Sequence, residues 1–202
     1  MELEKELWSA GHALVAGVDE AGRGPLAGSV AAAAVVLPRG FECGMLDDSK
    51  KLSAKKREAL YETITGDDRV HWSLAYAEVA EIEEINILRA THAAMARAVA
   101  GLGCEVSHCL IDGLDVPGFP NPSRGVVKGD GISLSIAAAS IIAKVSRDRR
   151  MLEHAEEFPE YGFEKHKGYG TKAHLEALRR HGPCRIHRKT FQPVAQLALP
   201  IE

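Results

Sequence analysis

The chain has 202 residues, of which 46% are hydrophobic and 5% aromatic, and this composition predicts one large globular domain or a domain with a small appendage. It opens on charged residues without an apolar signal region, and no apolar run reaches the ~20 residues of a membrane span. The four cysteines are scattered, without a C-x-x-C pair, which disfavours a disulfide framework and a zinc site. We therefore expect a cytoplasmic protein with no membrane partner.

The net charge of −3 is unevenly distributed along the chain. Residues 144–190 contain 12 Lys and Arg against 7 Asp and Glu, a net of +5 that leaves −8 for the remainder. This asymmetry predicts a basic face beside an acidic one, as in proteins that bind nucleic acid. A solvated helical surface that is merely basic stays the alternative.

In chain order, the first elements predict an antiparallel meander. Residues 1–12 predict a short helix or a loose arm. Apolar runs over 14–18 and 30–37 predict two buried strands joined by a glycine-rich loop. Ser53 is a good N-cap for a helix to about Ile64, and the alternation of apolar residues over 70–76 predicts a third strand.

The second half of the chain alternates helices with short strands. Helical spacing of apolar residues predicts a helix over 85–100. Residues 109–113 predict a buried fourth strand, and 126–131 a short strand and turn. A helix over 132–157 is apolar on all sides at first, which predicts burial, and then charged from Lys144, which predicts a surface position. Thr171 is expected to cap a final helix.

Four acids stand at the ends of predicted strands or in turns: Asp19, Glu20, Asp112 and Asp130. Carboxylates gathered on one rim of a sheet suit a hard cation such as Mg²⁺ or Mn²⁺. Because side chains alternate along a strand, Asp19 and Glu20 can share a site only if the strand bends or ends there. A solvated acidic strand end is the alternative. The chain has neither a phosphate-binding P-loop nor a G-x-S-x-G elbow.

Taken together and in order, several motifs resemble bacterial ribonuclease HII, a type 2 ribonuclease H family. They are Asp19-Glu20-Ala21-Gly22-Arg23-Gly24-Pro25, Asp48 to Ser53, Ile111-Asp112-Gly113, Lys128-Gly129-Asp130, Ala137 to Asp148, His166 to Thr171, and His187-Arg188. The resemblance implies an α/β fold of the ribonuclease H-like kind, in which a mixed sheet combines a three-strand antiparallel meander with parallel strands and is flanked by helices. It places a catalytic domain in residues 1–157. A C-terminal helical extension that contributes to substrate binding is expected in residues 158–202.

The resemblance also implies the activity: cleavage of RNA in RNA–DNA hybrids, and cleavage 5′ of ribonucleotides embedded in duplex DNA, leaving 3′-hydroxyl and 5′-phosphate ends. In that family the matching four acids hold the metals, so two Mg²⁺ or Mn²⁺ ions are expected with substrate bound. The residues expected to bind substrate are Gly22, Arg23, Gly24, Lys50, Lys51, Lys128, Ser140, Lys144, Lys167, Tyr169 and Arg188.

Two features are expected to distinguish RNA from DNA. The loop of Gly22, Arg23 and Gly24 offers main-chain groups with little side chain in the way, next to the acids, and could contact a 2′-hydroxyl. By resemblance, the ring of Tyr169 stacks on the sugar that follows the ribonucleotide. A loop tyrosine that fills the core is the alternative for Tyr169.

Three further residues carry expectations of their own. His92 lies on the apolar stripe of its helix, which favours a histidine at the edge of the core over a metal ligand. Asp148 stands among cationic residues, which favours an ion pair over a fifth ligand. Glu83 stands where the resembled family usually has Asp, and we expect that difference to affect helix capping only.

Other classes of function compete with this interpretation. Ribonuclease HIII resembles the chain less in the glycine-arginine loop and carries an extra N-terminal domain for which 202 residues leave no room. A binding module without catalysis is disfavoured by the four intact acids. A magnesium phosphatase for small substrates is disfavoured by the basic C-terminal third. We expect a monomer that acts on RNA–DNA hybrids and on DNA containing ribonucleotides, with recruitment by a replication or repair protein left open.

Overall fold

The computed structural model describes residues 1–42 and 52–197. Its N-terminal half is built on the expected meander. Strand β1 (Val15–Ala21) pairs antiparallel with β2 (Val30–Val36), and β2 pairs antiparallel with β3 (His71–Ala77). The predicted end of β1 at Val18 is wrong. Backbone pairing continues to Ala21, so Asp19 and Glu20 belong to a regular strand that neither bends nor ends before them.

Two parallel strands complete the sheet on the other side of β1. Strand β4 (His108–Asp112) runs parallel to β1, and β5 (Ser123–Val126) runs parallel to β4. The strand order is β3-β2-β1-β4-β5, which confirms the mixed sheet. The last strand ends at Val126 instead of starting there, because residues 123–126 pair with β4 while 129–131 form a 3-10 turn.

Helices cover both faces of the sheet. Helices α1 (Glu2–Ser9) and α2 (Ala54–Thr65) agree with expectation, and Ser53 caps α2. Helix α3 (Val79–Ala100) begins earlier than the predicted Ile85. It contains a break at Asn86, whose φ is +68°, and the Asn86 side chain accepts hydrogen bonds from the two amides that restart the helix. Position 86 therefore acts as an internal cap.

Helix α4 (Leu134–Glu157) packs directly on β1. A Cβ at Gly17 would lie 2.1 Å from the carbonyl carbon of Ser135, so only glycine allows this approach. One apolar cluster fills the space between the sheet and α3, and a second joins the sheet to α2 and α4. The close packing fixes α4 next to the strand that carries Asp19.

The C-terminal segment forms a third apolar cluster with the loop between β1 and β2. It contains α5 (Phe163–His166), α6 (Lys172–His181), which Thr171 caps as expected, and α7 (Val194–Leu197). A single β-bridge joins Ala27 to His187. Of the helices in the described ranges, none is both long and apolar enough to cross a bilayer. The described cysteines (Cys104, Cys109 and Cys184) are free thiols.

Candidate active site

Two acids lie side by side on neighbouring parallel strands in the middle of the sheet. Val18 pairs with Ile111, so Asp19 and Asp112 follow side by side on β1 and β4. Asp19 is only 5% exposed. Burial, together with the negative charges of Glu20 and Asp112, raises the pKa of Asp19 well above its usual value. The three carboxylates therefore repel one another within one site.

Glu20 is held at the rim of this group. Burial and Asp112 raise the pKa of Glu20, while Arg23 opposes that shift through an ion pair 3.2 Å long. Asp19 accepts a hydrogen bond of 2.7 Å from the Glu20 amide. Asp19 and Glu20 thus reach the site from a regular strand. The alternation of side chains had predicted that the strand must bend or end there for both acids to share a site.

The fourth acid, Asp130, lies in the 3-10 turn Gly129–Gly131 and is 5% exposed. Asp112 contacts this turn by accepting a hydrogen bond of 2.7 Å from the Gly129 amide. Within residues 1–42 and 52–197, no group of three or more His, Cys, Asp or Glu side chains is, as placed, close enough to hold a metal ion. The acids are neighbours without being a finished ligand shell.

The donor set nevertheless fits a hard divalent cation. Carboxylate oxygens are the ligands that Mg²⁺ and Mn²⁺ prefer. The raised pKa of Asp19 reflects buried, mutually repelling charges, which a cation between them would neutralise. Asp19, Glu20 and Asp112 are the side chains that would hold such an ion, and Asp112 contacts the turn that carries Asp130.

The loop beside these acids is held by Arg188, which is fully buried. Its guanidinium donates to the carbonyls of Gly22 at 2.6 Å, of Arg23 and Pro25 at 2.9 Å, and of Gly28 at 2.9 Å. The expectation that Arg188 contacts substrate is therefore wrong for its side chain. The buried Arg188 guanidinium thus holds the loop in place through hydrogen bonds to four of its carbonyls, and we call this arrangement the brace of the loop.

A second buried arginine extends the same brace. Arg147 of α4 is 1% exposed and donates to the carbonyls of Ala27, Ser29 and Lys167, each at 3.1 Å. The prediction that the charged half of α4 lies at the surface is wrong at this position. No local pattern marks this role, because the carbonyls that compensate the charge come from segments distant in the sequence.

The loop, α4 and the C-terminal segment together line a pocket of about 310 Å³ next to the acids. Ser140 lines one side of it and acts to lower the pKa of Asp19. Tyr169 is 45% exposed, so it does not fill the core, and the Lys144 ammonium lies 5.9 Å from its ring centroid. The remaining lining residues are Glu20, Ala21, Gly22, Arg57 and Ile141. Arg57 of α2 was not recognised in the sequence.

The other predicted basic contacts differ in position. Lys128 is exposed next to the Asp130 turn. Lys167 is half-buried, and its ammonium donates to the carbonyl of Glu164 at 2.5 Å. Lys50 and Lys51 lie outside the described residues.

Three single-residue expectations can be compared with the structure. Asp148 forms an ion pair with Lys144 at 2.8 Å, as expected. Glu83 accepts a hydrogen bond of 2.6 Å from the Lys189 amide, so its role is a tertiary link and not capping. His92 is half-buried, and with Glu20, Arg23 and Asp112 it lines a second pocket beside the acids. Burial and Arg23 lower the pKa of His92.

A five-stranded mixed sheet with buried carboxylates at its centre and basic residues around an adjacent pocket defines a metal-dependent nuclease with a ribonuclease H-like fold. Residues 16–194 match the family model of ribonuclease HII. The chain belongs to the ribonuclease HII family and is thus a metal-dependent endoribonuclease that acts on RNA–DNA hybrids.

Relatives agree with this assignment over most of the chain. It is 53% identical to a ribonuclease HII of Desulfitobacterium hafniense over 96% of this chain and 74% of the relative. Among solved structures it is similar to the ribonuclease H2 of Pyrococcus horikoshii OT3, with a TM-score of 0.74 and 25% identity over 92% of this chain and 97% of that one. The ribonuclease HII in a PCNA complex from Archaeoglobus fulgidus has a TM-score of 0.67 at 26% identity, over 83% and 88%.

Proposed function

We propose that the enzyme also cuts duplex DNA on the 5′ side of a single embedded ribonucleotide, leaving 3′-hydroxyl and 5′-phosphate ends. The observation that carries this proposal is the pocket in which Gly22 and Tyr169 lie beside Glu20. A continuous RNA strand can be recognised at several sugars. A lone ribonucleotide requires that a single 2′-hydroxyl be contacted at the cut phosphate itself.

The proposed metal site consists of Asp19, Glu20, Asp112 and Asp130. When bound, two Mg²⁺ or Mn²⁺ ions would supply an activated water and stabilise the leaving 3′ oxygen. The role of this chain is to keep the four carboxylates close, partly buried and ionised in the presence of that charge. Ser140 favours the ionised form of Asp19, because it acts to lower the pKa of that carboxyl. The Gly129 amide orients Asp112.

In the proposed complex, the loop of Gly22, Arg23 and Gly24 contacts the 2′-hydroxyl with its main chain, and Tyr169 stacks on the next sugar. Arg23 and Gly24 are exposed, and the ring of Tyr169 is accessible beside them. The loop is held rigidly from behind by Arg188, which suits the recognition of one hydroxyl.

Substrate phosphates are proposed to contact the cations around the pocket, namely Lys128, Lys144 and Lys167, with Lys50 and Lys51 as further contacts. We also propose that residues 158–202 act as an extension of the catalytic domain of residues 1–157 and contribute Tyr169 to binding. The third apolar cluster supports this, because it joins Leu26 and Ala27 to the C-terminal helices.

The test is cleavage of a DNA duplex that contains one ribonucleotide, with the ends of both products mapped. We expect one cut on the 5′ side, dependent on Mg²⁺ or Mn²⁺ and lost with chelator. Tyr169→Ala should lose most of this cleavage, while Tyr169→Phe should keep it because the ring remains. A cut on the 3′ side, or full activity of Tyr169→Ala, would contradict the proposal.

A further inference from the structure

A chain of buried hydrogen bonds runs beneath Tyr169 through two histidines that have no part in the metal site. We propose that His174 and His187 form a relay of fixed polarity that positions Tyr169 for substrate, and that both are positioning residues for the selection of lone ribonucleotides. The inference rests on the proposed role of Tyr169 and assigns that role a structural cause.

The relay has three links, and both imidazoles are 0% exposed. The amide of Cys184 donates to Nδ1 of His187 at 3.0 Å. Nε2 of His187 and Nε2 of His174 are 3.0 Å apart. Nδ1 of His174 lies 2.9 Å from the carbonyl oxygen of Tyr169.

The two ends of the relay determine where its protons lie. The Cys184 amide can only donate, and the Cys184 thiol, 3.1 Å from the same nitrogen, can donate as well, so Nδ1 of His187 accepts and the ring proton of His187 lies on Nε2. That proton is donated to Nε2 of His174, whose own proton then lies on Nδ1. The carbonyl of Tyr169 can only accept, and it receives this last proton. One arrangement of neutral rings satisfies every group.

A charged imidazole in either position would turn two N–H groups toward each other. Burial, together with the neighbouring His174, lowers the pKa of His187 to about 4, and burial lowers the pKa of His174. Both rings are therefore neutral at physiological pH, and the relay is intact.

The relay acts on the backbone of the residue whose ring is half-exposed. The Tyr169 carbonyl also accepts from the Thr171 amide at 2.8 Å, and the Tyr169 amide donates to the carbonyl of His166 at 2.9 Å. His166 stacks on His174 with a centroid distance of 4.5 Å, so the floor of the loop is made of packed rings. A fixed backbone beneath an exposed ring reduces the conformational freedom lost when the ring meets the substrate.

The flanking glycines bring this loop against the β1–β2 loop. A Cβ at Gly168 would lie 2.6 Å from the carbonyl oxygen of Ala27, and Gly168 has a φ of +85°. A Cβ at Gly170 would lie 3.1 Å from a methyl of Leu26. The glycines on both sides of Tyr169 allow its backbone many conformations. We therefore infer that the relay holds this backbone in one of them.

The first test measures the tautomers directly. Long-range ¹H–¹⁵N spectra of the histidines in the whole protein at pH 7 should show the proton of His187 on Nε2 and that of His174 on Nδ1. His181, which is exposed on the same helix, should show the usual averaging of both tautomers. The opposite tautomer at either relay position, or averaging there, would overturn the proposal.

The second test measures selectivity as the ratio of kcat/KM on a single embedded ribonucleotide to kcat/KM on a continuous RNA–DNA hybrid. His174→Leu should lower this ratio by ~10-fold, about what the net loss of one buried hydrogen bond amounts to. His174→Asn should restore much of it, because the amide nitrogen of Asn takes the place of Nδ1. His181→Leu is the matched control and should leave the ratio unchanged.

A Tyr169→Ala background separates positioning from general destabilisation. There, His174→Leu should still lower Tm but should not lower the ratio further, since the ring that the relay positions is gone. If Tyr169→Ala alone leaves the ratio unchanged, the role of Tyr169 fails and the inference fails with it. If Tyr169→Ala lowers the ratio but folded His174→Leu does not, the relay alone is refuted.

Should His174→Leu not fold, His174→Asn with His187→Asn and the tautomer spectra decide the question. We expect His187→Asn to lower the ratio and His174→Asn to retain it.

Discussion

Gly22 and the side chain of Arg147 occupy adjoining space: a Cβ at Gly22 would lie 2.0 Å from Nε of Arg147. Gly22 also has a φ of +100°, a conformation that other residues rarely adopt. The guanidinium of Arg147 passes this point on its way to the carbonyls of Ala27 and Ser29. A side chain at position 22 would therefore collide with Arg147 on the inner side of the loop. It would also hinder the approach of a substrate on the outer side.

Gly22→Ala should therefore destabilise the protein and abolish cleavage of every substrate. Displacing a buried arginine and straining the backbone together cost about 2–4 kcal/mol. Gly24→Ala is the matched control in the same loop, because its Cβ would meet only Tyr169 at 3.8 Å, an ordinary contact. Thermal unfolding and hybrid cleavage should be measured for both variants. Equal Tm losses would contradict this account.

Local patterns in the sequence predicted much of this architecture. The caps at Ser53 and Thr171 and the three-strand meander were correct, because capping and period-two alternation are properties of short segments. The buried arginines were not predictable, since Arg188 and Gly22 are 166 positions apart and nothing local marks a cation whose partners are distant carbonyls. The break at Asn86 was missed because a single positive φ leaves the apolar spacing unchanged.

The candidate site was predictable in its residue types but not in its arrangement. Patterns in the sequence led to Asp19 and Asp112 as acids at strand ends and to Tyr169 through a family motif, and the structure places all three around one region. They gave no reason to expect His174 and His187 beneath Tyr169, because a hydrogen-bond relay has no sequence period.

Removing the metal should expose the repulsion among the acids. The pKa of Asp19 is raised in the folded state, so folding is favoured at low pH and loses that contribution as pH rises above the usual value of 3.8. In chelator, the Tm of Asp19→Asn should exceed that of wild type by a margin that grows from pH 4 to pH 7. Saturating Mg²⁺ should reduce or reverse the margin, because the ion stabilises wild type more.

The activity of the same variant supplies the control for metal binding. Asp19→Asn and Asp112→Asn should both abolish hybrid cleavage and leave hybrid binding largely intact. A margin in Tm that is independent of pH and Mg²⁺ would show that carboxylate repulsion is not its source. Substantial cleavage by Asp19→Asn would remove Asp19 from the proposed metal site.

Arg188→Lys tests the brace from the C-terminal side. Lysine keeps the positive charge but cannot reach four carbonyls as the guanidinium does, so several buried oxygens lose their donor. We expect a loss of about 3 kcal/mol in the free energy of unfolding, as for a broken buried hydrogen-bond network. Urea unfolding measures it. Arg185→Lys, exposed three residues earlier, should change stability by less than about 0.5 kcal/mol.

Lys144 lines the pocket beside the acids, and its side chain is 31% exposed while it pairs with Asp148. If it contacts one phosphate, Lys144→Gln should weaken binding of all hybrid sequences alike and reduce the slope of log K against log salt by about 0.9. Lys172→Gln is the control, because that side chain is 92% exposed and away from the pocket. Equal slopes for the two variants would exclude the contact.

Glu4 ties the N-terminal helix to the start of α4 and is 1% exposed. Burial acts to raise its pKa, but hydrogen bonds from Ser133 at 2.6 Å and from Ser135 at 2.8 and 3.0 Å outweigh burial and lower it below 4.5. Glu4 therefore stabilises the fold above pH 4.5, and this contribution is lost as pH falls through the lowered value.

Glu4→Gln should cost about 1–3 kcal/mol at pH 7, because Gln replaces a charged oxygen that accepts three hydrogen bonds with a neutral oxygen, which is a weaker acceptor. The difference from wild type should shrink toward pH 3, where the carboxylate is protonated as well. Glu6 is the control, since its side chain is 61% exposed in a pair with Arg124, and Glu6→Gln should change stability little at either pH.

Ser133 also caps α4, and its amide donates to the Gly129 carbonyl at 2.8 Å beside Asp130. Glu4→Gln should consequently weaken Mg²⁺ binding measured by calorimetry. Unaltered Mg²⁺ affinity in a destabilised Glu4→Gln protein would restrict Glu4 to a role in folding.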